Sequence, residues 1–236
     1  MDFLSSSGEK RIRNQKSKYR HCFGIICFII TILFSFKPIV SATETLKYSI
    51  VSRNMVLGEM FYEIETIGQE MIFRSFFITN QDEEPQKDIE LIISLEDLAP
   101  KLSKKWLKIS EGEITIEAQY SQEKVNVILE SPYGKKEASL KITKPTFDME
   151  QIFFLPSLEN SGKFIDRQFP VLVPASGMIW SGKILKVDED ENSVLLKYTL
   201  AGEILYLQYE KAVPYRLLTM KAPNRGYDLI LKDEMK

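Results

Sequence analysis

Apolar and polar side chains alternate over most of the chain that follows residue 45. Leu46–Arg53 shows the alternation first, and Gly58–Thr66 repeats it. A period of two is typical of a β-strand that has one buried face and one solvated face. Met71–Thr79 is apolar on both sides, which predicts a strand that is covered on both faces.

Short polar turns, such as Glu111-Gly112, separate more segments of this kind, as antiparallel hairpins require. The pattern predicts further strands at Asp88–Ser94, Lys101–Ser110, Glu113–Tyr120, Lys124–Glu130, Lys135–Thr143, Gln168–Val173, Met178–Val187, Ser193–Tyr198, Glu203–Tyr209, Val213–Lys221 and Tyr227–Leu231. We therefore predict a mainly β fold. One large antiparallel sheet of about 11–12 strands would curl into an open or incomplete β-barrel.

One segment, Phe147–Leu158, interrupts this succession of strands. Asp148 is a suitable N-cap and Pro156 closes the apolar stretch, so we predict a short helix. A helix this short needs a larger apolar surface for its stability, and the hollow of the curled sheet offers one. The alternative is a barrel that aromatic side chains fill completely and that binds nothing. The candidate residues for an apolar plug or lid are Phe147, Phe153 and Phe154.

The first 42 residues have the composition of an export signal. Residues 1–21 are polar and basic, and Cys22–Phe36 is an apolar run of fifteen residues. This run is short for a membrane-spanning helix, which needs about twenty residues, but it suits the apolar core of a signal peptide. Val40-Ser41-Ala42 predicts cleavage after Ala42. An uncleaved membrane anchor is the alternative, and in both cases residues 43–236 form one exported, β-rich domain.

The predicted exported domain contains neither histidine nor cysteine, because His21, Cys22 and Cys27 all lie in the leader. It lacks the ligands of ordinary zinc, haem, copper and iron–sulfur sites, so we predict no metal and no cofactor. It also lacks the base of Ser-His-Asp and Cys-His catalysis, so we predict that it is not an enzyme. Its 24 basic and 31 acidic residues give a net charge of about −7, which argues against nucleic acid as a partner.

Three weaker signals have plainer interpretations. Asp188–Asn192 is rich in carboxylates but lacks the ligand spacing of an EF-hand, so we predict a solvated hairpin tip. A hydrolase that uses a pair of carboxylates stays possible in principle. However, the chain has only two tryptophans, Trp106 and Trp180, on which a sugar ring could stack. The pairs Ser103-Lys104 and Ser181–Lys183 carry no motif of a Ser-Lys dyad.

A series of single positions runs through the predicted domain: Tyr48, Gly58, Ser94-x-x-x-Leu98-x-Pro100, Asp148 and Val213-Pro214-Tyr215-Arg216. Over about residues 46–232 this series resembles an exported bacterial domain-of-unknown-function family, the DUF3108-like group. That family is similar to periplasmic carriers of outer-membrane lipoproteins. The resemblance implies an open β-barrel whose hollow is plugged by helices and accepts acyl chains. It implies no catalytic residue.

Two functions are compatible with these observations. The first is an exported cell-envelope protein, in the periplasm or on the membrane, that binds an apolar or lipidic ligand or a lipidated partner inside a β half-barrel. The second is a structural or assembly module that docks on another envelope protein through a sheet edge. In either case the N-terminal segment contacts the membrane at least during export.

Overall fold

The computed structural model describes residues 41–80, 85–142, 145–155, 164–212 and 215–232. It contains one sheet of fifteen strands, curled and not closed. The strands are β1 Ser41–Ser52, β2 Met55–Ile67, β3 Glu70–Thr79, β4 Gln86–Ser94, β5 Pro100–Ile109, β6 Gly112–Tyr120, β7 Lys124–Ser131, β8 Gly134–Lys141, β9 Phe147–Asp148, β10 Gln168–Val173, β11 Met178–Glu189, β12 Ser193–Leu200, β13 Glu203–Glu210, β14 Leu217–Ala222 and β15 Tyr227–Leu231. Within these ranges two short 3₁₀ helices accompany them, η1 Met149–Phe153 and η2 Pro174–Ser176.

The strands form two meanders that join in the middle of the sheet. Strands β1 to β8 follow one another outward to one edge, and β15 back to β9 follow one another to the other edge. The first and last strands pair at the centre, where Tyr48 lies opposite Leu231 and Val51 lies opposite Asp228. All of these pairs are antiparallel except β9 with β10, which run parallel.

The two meanders share one apolar core on the concave face of the sheet. Its members come from both meanders, for example Tyr48 and Leu91 from the first and Leu207 and Leu229 from the second, and all four are buried. The convex face of the first meander carries ion pairs instead, such as Arg74 with Glu65 at 3.2 Å and with Glu90 at 3.2 Å. The alternation along the strands therefore sorts apolar side chains inward and charged ones outward.

The sheet rolls far enough that β10 is covered on both of its faces. Val171 belongs to the main core, while the next residue, Leu172, points the other way and packs with Ile116, Ala118 and Val127 of β6 and β7. Neither Val171 nor Leu172 is exposed to solvent. The β9–β10 edge thus lies inside the concave face of the first meander, and β9 and η2 contact β5 and β6.

The predicted mainly β, curled and incomplete sheet is confirmed, but two details were wrong. The sheet has fifteen strands, more than the 11–12 expected although fourteen segments showed the strand pattern, and the fifteenth, β9, was not predicted because it is only two residues long. The predicted short helix is present, but its bounds Phe147–Leu158 were wrong: Phe147–Asp148 pairs with Val171–Leu172 as a strand, and only Met149–Phe153 is helical, in the 3₁₀ form. Residues 156–158 lie outside the described part.

Residues 1–40 of the predicted 42-residue leader lie outside the described residues. Val213 and Pro214, which begin the predicted strand Val213–Lys221, also lie outside them. Strand β1 starts at Ser41, two residues before the expected start of the exported domain. Within the ranges that the structure describes, no helix has both the length and the apolar character needed to cross a membrane.

Candidate functional site

The inner segment, Phe147–Leu155, lies within the curl of the sheet and carries the three predicted phenylalanines. The ring of Phe154 packs against Phe73 of β3, with centroids 3.8 Å apart, and against Tyr62 of β2 at 6.0 Å. The ring of Phe147 lies 5.5 Å from that of Phe169 on β10, edge to face. The inner segment thus joins the two meanders through aromatic contacts.

The three phenylalanines occupy different environments. Phe147 and Phe154 are buried, at 2% and 6% exposure. Phe153 is half-buried at the border of the core, and its carbonyl oxygen accepts a hydrogen bond from the Tyr209 hydroxyl at 2.9 Å. Whether these rings act as a fixed plug or as a lid over a ligand stays a prediction.

A buried aspartate determines where η1 begins. Asp148 is its N-cap, as the sequence predicted: one carboxylate oxygen accepts the Glu150 amide at 2.9 Å, and the Asp148 amide donates to the Gln151 side chain at 3.5 Å. The other carboxylate oxygen accepts the Tyr120 hydroxyl at 2.5 Å. Burial nevertheless raises the pKa of Asp148 to about 6, because these hydrogen bonds offset only part of the desolvation.

Glu150 and Gln151 also connect the inner segment to the first meander. The Gln151 amide donates to the Leu98 carbonyl at 2.6 Å. Lys105 of β5 reaches the Glu150 carboxylate at 3.0 Å, and only 7% of that glutamate side chain is exposed. Glu150 raises the pKa of Lys105 despite partial burial. The segment is therefore held by one charged and several neutral contacts.

A β-bulge brings a further carboxylate toward Lys105. Ser75 pairs with Ile89 while Phe76 pairs with Lys87, which leaves Asp88 as the extra residue of β4. A bulge re-aims the extra side chain, and Asp88 lies 3.4 Å from the Ser75 hydroxyl, which is fully buried. Burial raises the pKa of Asp88 to about 6, opposed by the positive charge of Lys105.

Tyr198 of β12 faces these groups from the second meander. Its side chain is 3% exposed, and in the described part of the chain its hydroxyl is the only buried side-chain polar atom without a hydrogen-bond partner. Burial raises its pKa, and the negative charges of Glu150 and Asp148 raise it further. We call Asp88, Lys105, Asp148, Glu150 and Tyr198 the interior polar cluster.

An open cleft of about 210 Å³ lies beside the inner segment, where β9 meets the first meander. We call it the seam cleft. Its apolar wall consists of Ala99, Pro100, Tyr120, Ile142, Pro145 and Phe147. Tyr120 belongs both to this wall and, through its hydroxyl, to the contact with Asp148. The seam cleft therefore reaches to the border of the interior polar cluster.

The carboxylate run at Asp188–Asn192 forms the exposed tip of the β11–β12 hairpin, as predicted. Glu189 pairs with Lys186 and Lys211, both at 2.8 Å, and Asp190 accepts the backbone amides of Asn192 and Ser193. In the ranges that the structure covers, no three acidic, histidine or cysteine side chains are grouped so that they could hold a metal ion.

Sequence reasoning identified Phe147, Phe153, Phe154 and the capping role of Asp148 but missed the rest of the interior polar cluster. Lys105 gave no clear signal, because its neighbours on the same face of β5 are a polar residue, Ser103, and an exposed one, Leu107. Asp88 gave no signal, because only the bulge turns it inward.

Comparison of the chain with known protein families, curated proteins and solved structures gives no match.

Proposed function

We propose that the protein is an exported, non-catalytic component of the cell envelope that holds an apolar or lipidic ligand, or the lipid of a lipidated partner, in its curled sheet. The observation that carries the proposal is the seam cleft, since its apolar wall includes Phe147 and opens beside the inner segment. Ligand sites are typically concave, mostly apolar and supplied with a few polar groups, and the seam cleft has these properties, although its volume is smaller than that of most such sites.

Two features of the fold support this function. The sheet is not closed, so its two edges can separate without breaking a strand pair between them. The inner segment pairs with the sheet through only two residues, Phe147 and Asp148, so its displacement by an acyl chain would break a short ladder and not a full strand pair. The resemblance to the DUF3108-like group, which is a prediction from the sequence, points the same way.

The experiment is a binding measurement on the exported protein purified from the envelope. Mass spectrometry of an organic extract identifies a co-purified lipid, and a fluorescent fatty acid measures affinity. Ala99→Trp fills the seam cleft, so we expect it to weaken probe binding about ten-fold or more, since a bulky side chain would exclude the ligand. The matched control is Ala138→Trp on the exposed strand β8, which should leave affinity unchanged.

Melting curves of both variants establish that each is folded. If Ala99→Trp and Ala138→Trp bind the probe equally well, or if the unaltered protein binds none and yields no lipid, the proposal is wrong.

The second candidate, docking through a sheet edge, is favoured by one observation. Seven of the eight residues of β8 are exposed, and it ends the sheet. A photo-crosslinking residue at Ser139 of β8 should then give one defined adduct in intact cells. The same residue at Glu65, on the convex face, should give none. Equal labelling at both positions would argue against edge docking.

A further inference from the structure

The interior polar cluster carries an unbalanced charge. It contains three carboxylates, Asp88, Asp148 and Glu150, against the single ammonium group of Lys105. Arg225 of the second meander lies near Lys105, but Glu203 binds its guanidinium in a bidentate pair at 2.6 and 3.2 Å. The cluster therefore holds two more negative than positive charges when all its members are ionised.

Unbalanced charge in a buried place is unfavourable unless a counter-charge is bound. Among the described residues, the ammonium group that acts on the cluster is that of Lys105, and it serves both Glu150 and Asp88. Burial is the main reason that the pKa of Asp88 and of Asp148 is raised, and the negative charge of Glu150 adds to the rise.

Tyr198 gives an independent indication that the cluster is incomplete. A buried hydroxyl without a partner costs about 1–3 kcal/mol, and such groups are rare in folded proteins. The Tyr198 hydroxyl lies within the electrostatic influence of Glu150 and Asp148. A bound group that donates hydrogen bonds would satisfy the hydroxyl oxygen and the carboxylates at the same time.

We propose that the interior polar cluster binds the protonated amino group of an amphiphilic ligand whose apolar tail occupies the seam cleft. An ammonium group provides three hydrogen-bond donors and one positive charge, which would reduce the excess negative charge of the cluster and give the Tyr198 hydroxyl oxygen a donor. Tyr120 connects the two places, because its ring lines the cleft and its hydroxyl meets Asp148. This inference rests on the proposed function and names its ligand class, a lipid-like amine.

The test uses three probes with the same eight-carbon tail, namely octylamine, octanol and octanoate, at pH 7.5 with the exported protein. A hydrogen bond to a charged group is worth about 1.5–3 kcal/mol, so octylamine should bind about ten-fold or more tightly than octanol. Octanoate should bind most weakly, because the cluster repels its carboxylate. Isothermal titration calorimetry gives the three affinities.

Variants locate the binding group. Glu150→Gln should remove most of the preference for octylamine, and the matched control Glu117→Gln, which breaks the ion pair with Lys104 on the convex face, should keep it. Glu150→Gln leaves Lys105 without its main partner and can unfold the protein, so Tyr198→Phe serves as the second variant. Tyr198→Phe should weaken the affinity for octylamine about five-fold and leave the affinity for octanol unchanged. Tyr206→Phe, on the opposite face of the sheet, should change neither affinity.

The outcomes separate this inference from the proposed function. If none of the three probes binds, the proposed function itself fails. If all bind equally, or octanoate binds best, the apolar site stands and the amino-group inference is overturned. It is also overturned if calcium alone raises the melting temperature while octylamine does not, or if Tyr198→Phe leaves octylamine affinity unchanged, as expected for a hydroxyl that meets only water.

Discussion

Strands β8 and β10 lie near opposite edges of one sheet, and they differ in how far their side chains are exposed to solvent. In β8, Gly134–Lys141, seven of eight residues are exposed, and three of them are lysines. In β10, Gln168–Val173, neighbouring residues Val171 and Leu172 are both fully buried. Charged side chains on an exposed edge discourage pairing with other chains, whereas an edge that is apolar on both faces must be covered.

The difference explains the direction in which the sheet rolls. Only the β9–β10 edge has apolar side chains on both faces, so burying it inside the first meander removes the most apolar surface from water. The opposite roll would bury the lysines of β8 at a large desolvation cost. The inner segment continues the buried edge, and it therefore lies against the core.

The largest expected effect is at the inner segment. Phe154→Ala should lower the free energy of unfolding by about 3–5 kcal/mol, because its buried ring stacks on Phe73. Phe153→Ala should lower it less, since that ring is half-buried. Tyr133→Ala, in the exposed turn before β8, is the control and should change it by less than about 0.5 kcal/mol. Urea denaturation measures all three, and equal values would contradict the buried position of the inner segment.

The second-largest effect is expected when a leucine is replaced by alanine near each of the two edges of the sheet. Leu172→Ala should destabilise the protein by about 3 kcal/mol, because the side chain is fully buried between β10 and β7. Leu140→Ala on the half-buried position of β8 should cost about 1 kcal/mol or less. The comparison between the edges fails if Leu140→Ala proves as destabilising as Leu172→Ala.

A smaller effect is expected from pH, because two aspartates in the interior polar cluster have a raised pKa, whereas the pKa of surface carboxyl groups such as Glu59 is lowered. The pKa of Asp148 and of Asp88 is raised to about 6 in the folded protein, so the folded state binds more protons than the unfolded state between about pH 4 and pH 6. Stability should therefore rise as pH falls from 7 to 5, by about 1 kcal/mol for each group. Thermal melting across this range measures the rise.

Asp148→Asn tests the assignment of that pH effect. The variant cannot bind the extra proton, so the stability gained between pH 7 and pH 5 should fall by roughly half. Asp166→Asn, outside the cluster, should retain the full gain. A protein that loses stability steadily from pH 7 to pH 5 would contradict the buried environment of both aspartates.

The smallest expected effect is a gain in stability. Tyr198→Phe removes a buried hydroxyl that has no partner in the described part of the chain, so it should raise the free energy of unfolding by up to about 1 kcal/mol. Tyr209→Phe is the contrasting change, because the Tyr209 hydroxyl donates to the Phe153 carbonyl. That variant should be destabilised by about 1 kcal/mol. Loss of stability in Tyr198→Phe would show that its hydroxyl has a partner.

The alternation of apolar and polar residues was sufficient to predict most of the strands and the curled sheet. It works in segments such as β15, Tyr227–Leu231, whose observed bounds equal the predicted ones. In such segments one physical requirement, a buried face every second residue, acts along the whole strand. The N-cap at Asp148 was predictable for the same reason, since a cap is a local interaction.

Only the tertiary structure decided the conformation of Phe147–Asp148 and the membership of the interior polar cluster. Phe147–Asp148 is a strand because it finds a parallel partner in Val171–Leu172, more than twenty residues away along the chain. Asp88 faces inward because a bulge shifts its register, and the negative charge of Glu150 acts on Tyr198 because the sheet rolls. Local pattern predicts which side chains are buried, but the roll of the sheet, a sum of many distant contacts, determines which buried groups meet.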